Sequence, residues 1–314
     1  MKDAAESSAG FSWFPGHMAR GLREISEDLR LVDLVLVLLD ARIPRSSRHE
    51  AIEAMLEKRG KSFAFVLNKS DLAEPAATRR WVRYFENQGI HTVATSAADG
   101  RGLGTITKAI DETRARAVAR ARLRGRIDAP VRLLIAGIPN VGKSSIINRL
   151  TTRTGSRHAP ARTGKQPGVT RSRQWIALPG GLELRDSPGI LFPRIATFDM
   201  FLHLAATGAI KEDNLPIEDV GNALVHLLVE RGSLEVGLDK GESALHALAR
   251  KRGMLLSGGQ PDSERAAHYL LKVVREGRLG PMSLELPETA SEGIDETPPP
   301  SERSEKLDET PPPE

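Results

Sequence analysis

The sequence predicts an α/β fold: a mostly parallel sheet with helices on both faces, followed by a small all-helical domain. Three observations carry this. Near-continuous apolar runs alternate with segments of helical period, a glycine-rich loop joins one such run to a helix, and only helical period remains after Pro193.

A helical segment around residues 21–29 leads into the apolar run 34–38. Apolar residues at consecutive positions fit a strand buried on both faces, the condition of a parallel sheet. The unit then repeats: helix 47–59 and strand 63–67, helix 75–87 and strand 91–95, helix 103–122 and strand 131–136. Parallel neighbours need such crossover helices. A helix opens near Lys143, and strands 174–178 and 182–185 flank Pro179-Gly180-Gly181, which reads as a hairpin turn. Four shorter helices follow, at 198–208, 217–230, 242–252 and 263–276, with Leu224, Leu227, Leu228, Leu245 and Leu248 spaced to face a core. The predicted organisation is a flexible start at 1–10, a nucleotide domain at 11–193, a helical domain at 194–286 and a tail at 287–314.

The motifs sit where these strands end. Gly137-Ile138-Pro139-Asn140-Val141-Gly142-Lys143-Ser144 follows strand 131–136 and matches the phosphate loop G-x-x-x-x-G-K-S. Its glycines let backbone N–H groups face phosphate oxygens, Lys143 reaches the β and γ oxygens, and the Ser144 hydroxyl suits Mg²⁺. Pro139, Asn140, Val141, Gly142 and Ser145 complete the cradle, and the helix N-terminus adds positive potential. Asn68-Lys69-Ser70-Asp71 follows strand 63–67. The Asp71 carboxylate can accept from guanine N1–H and the exocyclic amine together, a pairing adenine lacks. Asn68 and Lys69 support the base and brace the phosphate loop, and Ser96-Ala97 supplies a base-contacting loop after strand 91–95. Asp186, in Asp186-Ser187-Pro188-Gly189, suits Mg²⁺, and the Gly189 amide suits sensing of the γ-phosphate. Thr170 is the candidate second hydroxyl for the metal, inside a basic switch stretch at 152–173.

Guanine specificity with a phosphate loop means a P-loop GTPase, and the order of its parts is unusual. The guanine motifs precede the phosphate loop, so the domain is a circularly permuted P-loop GTPase domain. A P-loop kinase of small molecules has no need of Asn68 and Asp71. The residue after Gly189 is Ile190, where many GTPases carry a water-orienting Gln. Isoleucine has no donor or acceptor, so hydrolysis by the chain alone should be slow, or the orienting group comes from elsewhere. His17 is the candidate, since an imidazole can orient water near neutral pH; capping or packing of the following helix is its other reading.

Trp13-Phe14-Pro15-Gly16-His17-Met18, Asp40-Ala41-Arg42-Ile43-Pro44, Asn68-Lys69-Ser70-Asp71, the phosphate loop, Pro167-Gly168-Val169-Thr170 and Asp186-Ser187-Pro188-Gly189-Ile190 together resemble the ribosome biogenesis GTPase A family. This is the YlqF-type branch of circularly permuted GTPases, and the resemblance covers residues 11–286. It implies a GTPase that binds the immature large ribosomal subunit and leaves after hydrolysis. It also implies a catalytic role for His17 and a K⁺ ligand in Asn140; the motifs themselves add Lys143 and Thr170 as catalytic candidates and Ser144, Thr170 and Asp186 for Mg²⁺.

Composition trims the alternatives. There is no cysteine, so neither disulfides nor the zinc-binding cysteines of small-subunit relatives are expected. Ten residues before Phe11 leave no room for an N-terminal OB domain, and with Asp3 and Glu6 they read as no secretion signal. No apolar stretch suits a membrane span, so the expectation is a cytoplasmic monomer with neither membrane nor DNA as partner. Net charge is +4, but residues 285–314 hold ten acidic and two basic residues, which leaves +12 on the rest. The excess gathers at Arg114, Arg116, Arg120, Arg122, Arg124 and Arg126 and, around the switch stretch, at Arg149, Arg153, Arg157, Arg162, Lys165, Arg171 and Arg173. Arg250-Lys251-Arg252, Arg275 and Arg278 add a third group. Such clusters fit salt-dependent RNA binding, or a solvated helix face and helix-end capping. The tail repeats Asp-Glu-Thr-Pro-Pro-Pro at 295–300 and 308–313, the composition of disordered, solubilising chain. The expected function is a Mg²⁺-dependent GTPase of large-subunit assembly whose helical domain reorients when Gly189 meets the γ-phosphate. The alternatives are a permuted GTPase of the small subunit or another RNA, and an RNA-binding scaffold with negligible turnover.

Overall fold

The computed structural model describes residues 16–123, 130–153, 175–179, 181–192, 195–237 and 241–288. Thr170, most of the switch stretch, Arg124, Arg126 and the tail beyond residue 288 lie outside the described residues, as do the side chains of His17, Arg114, Arg116, Arg120, Arg122 and Arg153.

The described residues open with α1 (Gly16–Asp28), β1 (Leu34–Asp40), α2 (Glu50–Lys58), β2 (Ser62–Asn68), α3 (Pro75–Asn87), β3 (Thr92–Ala94) and α4 (Leu103–Leu123). It continues with β4 (Val131–Gly137), α5 (Lys143–Arg153), β5 (Ile176–Leu178) and β6 (Leu182–Asp186). The strands form one six-stranded sheet in the order β3-β2-β1-β4-β6-β5. Among the described strands only β5, paired with β6 through Leu178 and Leu182, runs antiparallel.

β1 and β4 lie side by side at the centre, Val35 beside Leu134 and Leu38 beside Gly137. From β1 the chain builds outward through β2 and β3; from β4 the sheet extends the other way through β6 and β5. This is the topological switch point, and the crevice beyond the carboxyl ends of these two strands is where α/β sheets bind ligands. All seven residues of β1 are buried, as expected of a strand covered on both faces.

The helical region comprises α6 (Phe198–Thr207), α7 (Ile217–Glu230), α8 (Ala244–Lys251) and α9 (Ser263–Arg275), with a 3-10 turn at Glu212–Asn214. Side-chain caps fix three of these starts: Thr197 on Met200 N, Ser243 on His246 N and Asp262 on Arg265 N. Gly208, at φ 80°, closes α6 in the left-handed conformation that favours glycine. One buried hydrophobic cluster runs from the sheet through Ile190, Leu191, Phe192 and Ile195 into this region. No helix among the described residues is long and apolar enough to cross a membrane.

The structure moves three predicted boundaries. α1 starts at Gly16, not near 21, and Gly21 lies inside it. α2 starts at Glu50, not 47, because Ser47 belongs to the preceding loop: its Oγ accepts from Asp40 N at 3.1 Å and donates to Ile43 O at 2.7 Å. β3 keeps three of its five predicted residues.

The course of residues 276–288 had no counterpart in the sequence reading. This segment returns from α9 to the sheet and straps the loops beyond β1 and β2. Met282 N donates to Leu72 O at 2.9 Å and Leu284 N to Arg42 O at 2.8 Å. Trp81 Nε1 donates to Glu285 O at 3.1 Å. The Glu285 carboxylate accepts from Arg45 N at 2.7 Å, from Ser46 N at 3.0 Å and from the Ser46 hydroxyl, and meets His203 Nδ1 at 3.0 Å.

Candidate guanine nucleotide site

Strand register brings the motifs to one edge. Asp40 lies beside Asn68, Leu38 beside Gly137, and Ile135 beside Asp186, so the loops after β1, β2, β4 and β6 leave the same end of the sheet.

Asn68 is buried and joins two of these loops to a third. Its Nδ2 donates to Val141 O in the phosphate loop at 2.8 Å, and its Oδ1 accepts from Ala97 N at 3.1 Å. Lys69 turns through φ 61° and extends Nζ to Asp40 Oδ2 at 2.9 Å. Ser70 N bonds Thr95 O at 3.1 Å, which fixes the turn that presents Asp71. Ser96 is fully buried, and its Oγ accepts from Asp99 N at 3.3 Å. Arg149 of α5 donates Nε to Ala97 O at 2.8 Å and Nη2 to Ala98 O, tying this loop to the phosphate side.

The phosphate loop needs its glycines for space as well as conformation. A Cβ on Gly137 would lie 2.6 Å from Leu38 O, and one on Gly142, at φ 101°, 2.2 Å from the Asn68 amide. Lys143 Nζ bonds Gly137 O at 3.2 Å and Ile138 O at 3.0 Å. Burial pushes its ammonium pKa down, and nearby Asp186 opposes this only in part. Ser144 and Ser145 lie in the first turn of α5, whose amides have no partner within the helix. Ser144 Oγ donates to Asp186 Oδ2 at 3.1 Å, so a hydroxyl and a carboxylate oxygen converge as a hard cation requires. Gly189 lies directly on the loop: a Cβ there would be 2.9 Å from Pro139 Cα and 3.0 Å from Lys143 Nζ. Asn140, at φ 57°, donates Nδ2 to Gly208 O at the end of α6 at 2.6 Å.

Comparison with known proteins agrees with this arrangement. The family described as 50S ribosome-binding GTPase matches residues 132–255. A ribosome biogenesis GTPase A from Bacillus pumilus is 38% identical over 286 residues, covering 88% of this chain and 99% of that protein. One from Bacillus licheniformis is 38% identical over 284 residues, covering 88% and 98%. The chain belongs to the ribosome biogenesis GTPase A family. The crystal structure of GNP-bound YlqF from T. maritima superposes with a TM-score of 0.62 at 28% identity, over 85% of this chain and 97% of that one. As a member of this family the chain is a GTP-binding hydrolase with the GTPase fold in permuted order.

Within that family frame, the structure adds detail to two predicted features. Ile190 is fully buried; Gly21 of α1 lies against its side chain, where a Cβ would be 2.9 Å from Ile190 Cδ1. Its side chain packs under α1, away from solvent. Position 17 lies one helical turn before Gly21, on the same face of α1. The basic residues also divide. Arg149 is bonded to the guanine-side loop, Lys251 to Glu235 O at 2.6 Å, and Arg275 to Glu212 and to Ala205 O, a last-turn carbonyl of α6. For Arg275 the capping reading is the one the geometry takes. Sequence reasoning gave no role to Asp40, Arg42 or the Asn140–Gly208 bond. The run Asp40–Pro44 was visible as a motif, but its partners lie far along the chain.

Proposed function

We propose that this chain binds GTP with Mg²⁺ and hydrolyses it to drive a late step of large ribosomal subunit assembly, nucleotide state setting its affinity for the pre-subunit. The nucleotide domain is 11–193 and the helical domain 194–286. Asp71 reads guanine, with Asn68, Lys69, Ser70, Ser96 and Ala97 shaping its pocket. Pro139 to Ser145 hold the phosphates, and Gly189 senses the γ-phosphate. Ser144 and Asp186, with Thr170, would hold Mg²⁺, which supplies charge neutralisation at the β and γ oxygens. The Oδ1 of Asn140 is the oxygen a K⁺ ion would use, its Nδ2 being bonded to Gly208.

The observation that carries this reading is direct bonding between all three parts. Asn68 joins the guanine loops to the phosphate loop, and Asn140 joins the phosphate loop to the helical region. A change at Gly189 or Asn140 on γ-phosphate release is therefore felt by α6. The large-subunit partner is supported by the description of the matching family, 50S ribosome-binding GTPase. Arg250 and Arg252 are exposed, Arg250 paired with Glu242 at 2.7 Å and Arg252 over the Tyr269 ring, and rRNA phosphate would compete for the Arg250 pair; the protein acts as a cytoplasmic monomer. Buried Ile190 supports slow hydrolysis by the chain alone, with His17 acting once the ribosomal particle is bound.

The test is GTP hydrolysis in potassium buffer with purified large or small subunits, for wild type and His17→Ala. Stimulation by large subunits alone, lost in His17→Ala, is the expected result. Stimulation that survives the substitution removes His17 from catalysis, small-subunit stimulation reassigns the partner, and no stimulation by either subunit removes the mature large subunit as the activating particle.

A further inference from the structure

We infer that Asp40 and Arg42 are positioning residues that couple the guanine-reading loop to the helical region. The inference rests on the reading of Lys69 and Asp71 as guanine contacts.

The Asp40 carboxylate receives three cationic donors: Arg42 Nε at 2.9 Å on Oδ1, Arg42 Nη2 at 2.8 Å on Oδ2 and Lys69 Nζ at 2.9 Å on Oδ2. Asp40 and Arg42 are each 1% exposed. Burial pushes the Asp40 carboxyl up, but Arg42 and Lys69 outweigh it and hold it well below the usual carboxylate range. The other arm of Arg42 leaves the nucleotide side altogether. Its Nη1 donates at 3.2 Å to Val274 O, in the last turn of α9, where a cation complements the helix dipole. Its backbone oxygen accepts from Leu284 N at 2.8 Å. One bonded path therefore runs from the end of α9 through Arg42 and Asp40 to Lys69. A parallel contact reaches the same loop, since Met282 N bonds Leu72 O and a Cβ on Gly277 would be 2.6 Å from Leu72 Cδ2.

The energetics favour a geometric role. A buried ion pair gives little net stability over apolar residues of the same volume, because desolvation offsets the attraction. What it supplies is direction. The fork of Arg42 holds both carboxylate oxygens, the carboxylate holds Lys69, and the backbone of Lys69 stays in its left-handed turn with Asp71 two residues on. Docking of α9 and the strap thus presets the base-reading loop, and by reciprocity a bound base tightens the strap.

The test measures binding of a fluorescent GDP analogue and amide hydrogen exchange at Met282 and Leu284 in the full chain. Arg42→Lys keeps the charge but loses the fork, and Lys69→Met removes the other end of the path. Expected are about tenfold weaker GDP binding by Arg42→Lys and a double variant less than additively impaired. Nucleotide should raise protection of the two amides in wild type and not in Arg42→Lys. A purely structural role would lower protection with and without nucleotide alike. Circular dichroism and thermal melting confirm that each variant is folded; if Arg42→Lys does not fold, Asp40→Asn is measured in its place. GDP affinity within about twofold of wild type, or a nucleotide-dependent gain in protection that survives substitution, overturns the inference. Failure of wild type to prefer guanine overturns instead the underlying reading of the site.

Discussion

Replacing Asn68 with alanine is the sharpest probe of the site, because one amide group joins three loops. Asn68 is 1% exposed, Val141 is 1% and Ala97 is 8%, so the groups it satisfies are buried. Alanine strands the Val141 carbonyl and the Ala97 amide, bonded to Asn68 at 2.8 and 3.1 Å. Each orphaned group costs about 1–3 kcal/mol, or about 2–6 kcal/mol together, toward the lower end where water enters the crevice. A lone loop rearrangement in the free protein moves this cost from stability into nucleotide binding, which must then re-order the loops. At about 1.4 kcal/mol per tenfold, the lower end alone is about thirtyfold in Kd. Titration with a fluorescent GDP analogue and urea unfolding, run together, capture both shares. Gly142→Ala places a Cβ 2.2 Å from the same amide, so the double variant should fall well short of additive. If Asn68→Ala changes neither affinity nor stability by more than about 0.5 kcal/mol, the bridging account is wrong.

Other substitutions probe separate parts of the argument. Gly189→Ala drives a methyl group into Pro139 Cα and Lys143 Nζ; calorimetry should show affinity for a GTP analogue falling about tenfold or more, with GDP affected less. Equal losses for the two nucleotides would detach Gly189 from the γ-phosphate. Ile190→Gln buries an amide beneath Gly21; the melting temperature should fall, at a cost of about 1–3 kcal/mol, with no faster hydrolysis. A faster rate would show that this position can reach the attacking water. His49 is buried, with its ring centroid 5.0 Å from that of Phe192, and burial pushes its pKa down. Unfolded histidine takes a proton near pH 6.5, so below about that value the unfolded state binds more protons and stability falls as pH drops. Urea midpoints measured from about pH 7 to about pH 5 should fall less for His49→Phe than for wild type; equal slopes would remove His49 from the acid response.

The sheet was legible because its central strands are buried on both faces. Run 34–38, and run 131–136 apart from Arg132, are apolar at every position, and the motifs mark their carboxyl ends. Boundaries set by tertiary contact were not legible. Gly21 reads as a helix edge by propensity, yet it lies inside α1 because Ile190 leaves no room for a side chain. Ser47 looks helical until Asp40 N is seen to need its hydroxyl. The nucleotide motifs could be found because each is local, eight residues or fewer with fixed spacing. Arg42 and Asn140 meet partners 232 and 68 residues away, and neither bond leaves a trace in neighbouring sequence.

The strap has a consequence for how the chain comes into being. Bonds such as Arg45 to Glu285 and Glu74 to Ser283 close loops of 240 and 209 residues, among the longest the molecule can make. The loop at 68–72, proposed to read guanine, is synthesised well before the segment that covers it. Until residues 282–285 emerge, the loops at 42–46 and 68–72 lack their cover, and a chain interrupted before them carries the motif without these bonds. Closure at such separation is slow, since entropy is lost before the contacts form. On the proposed reading, nucleotide binding in this permuted order would follow synthesis of the strap.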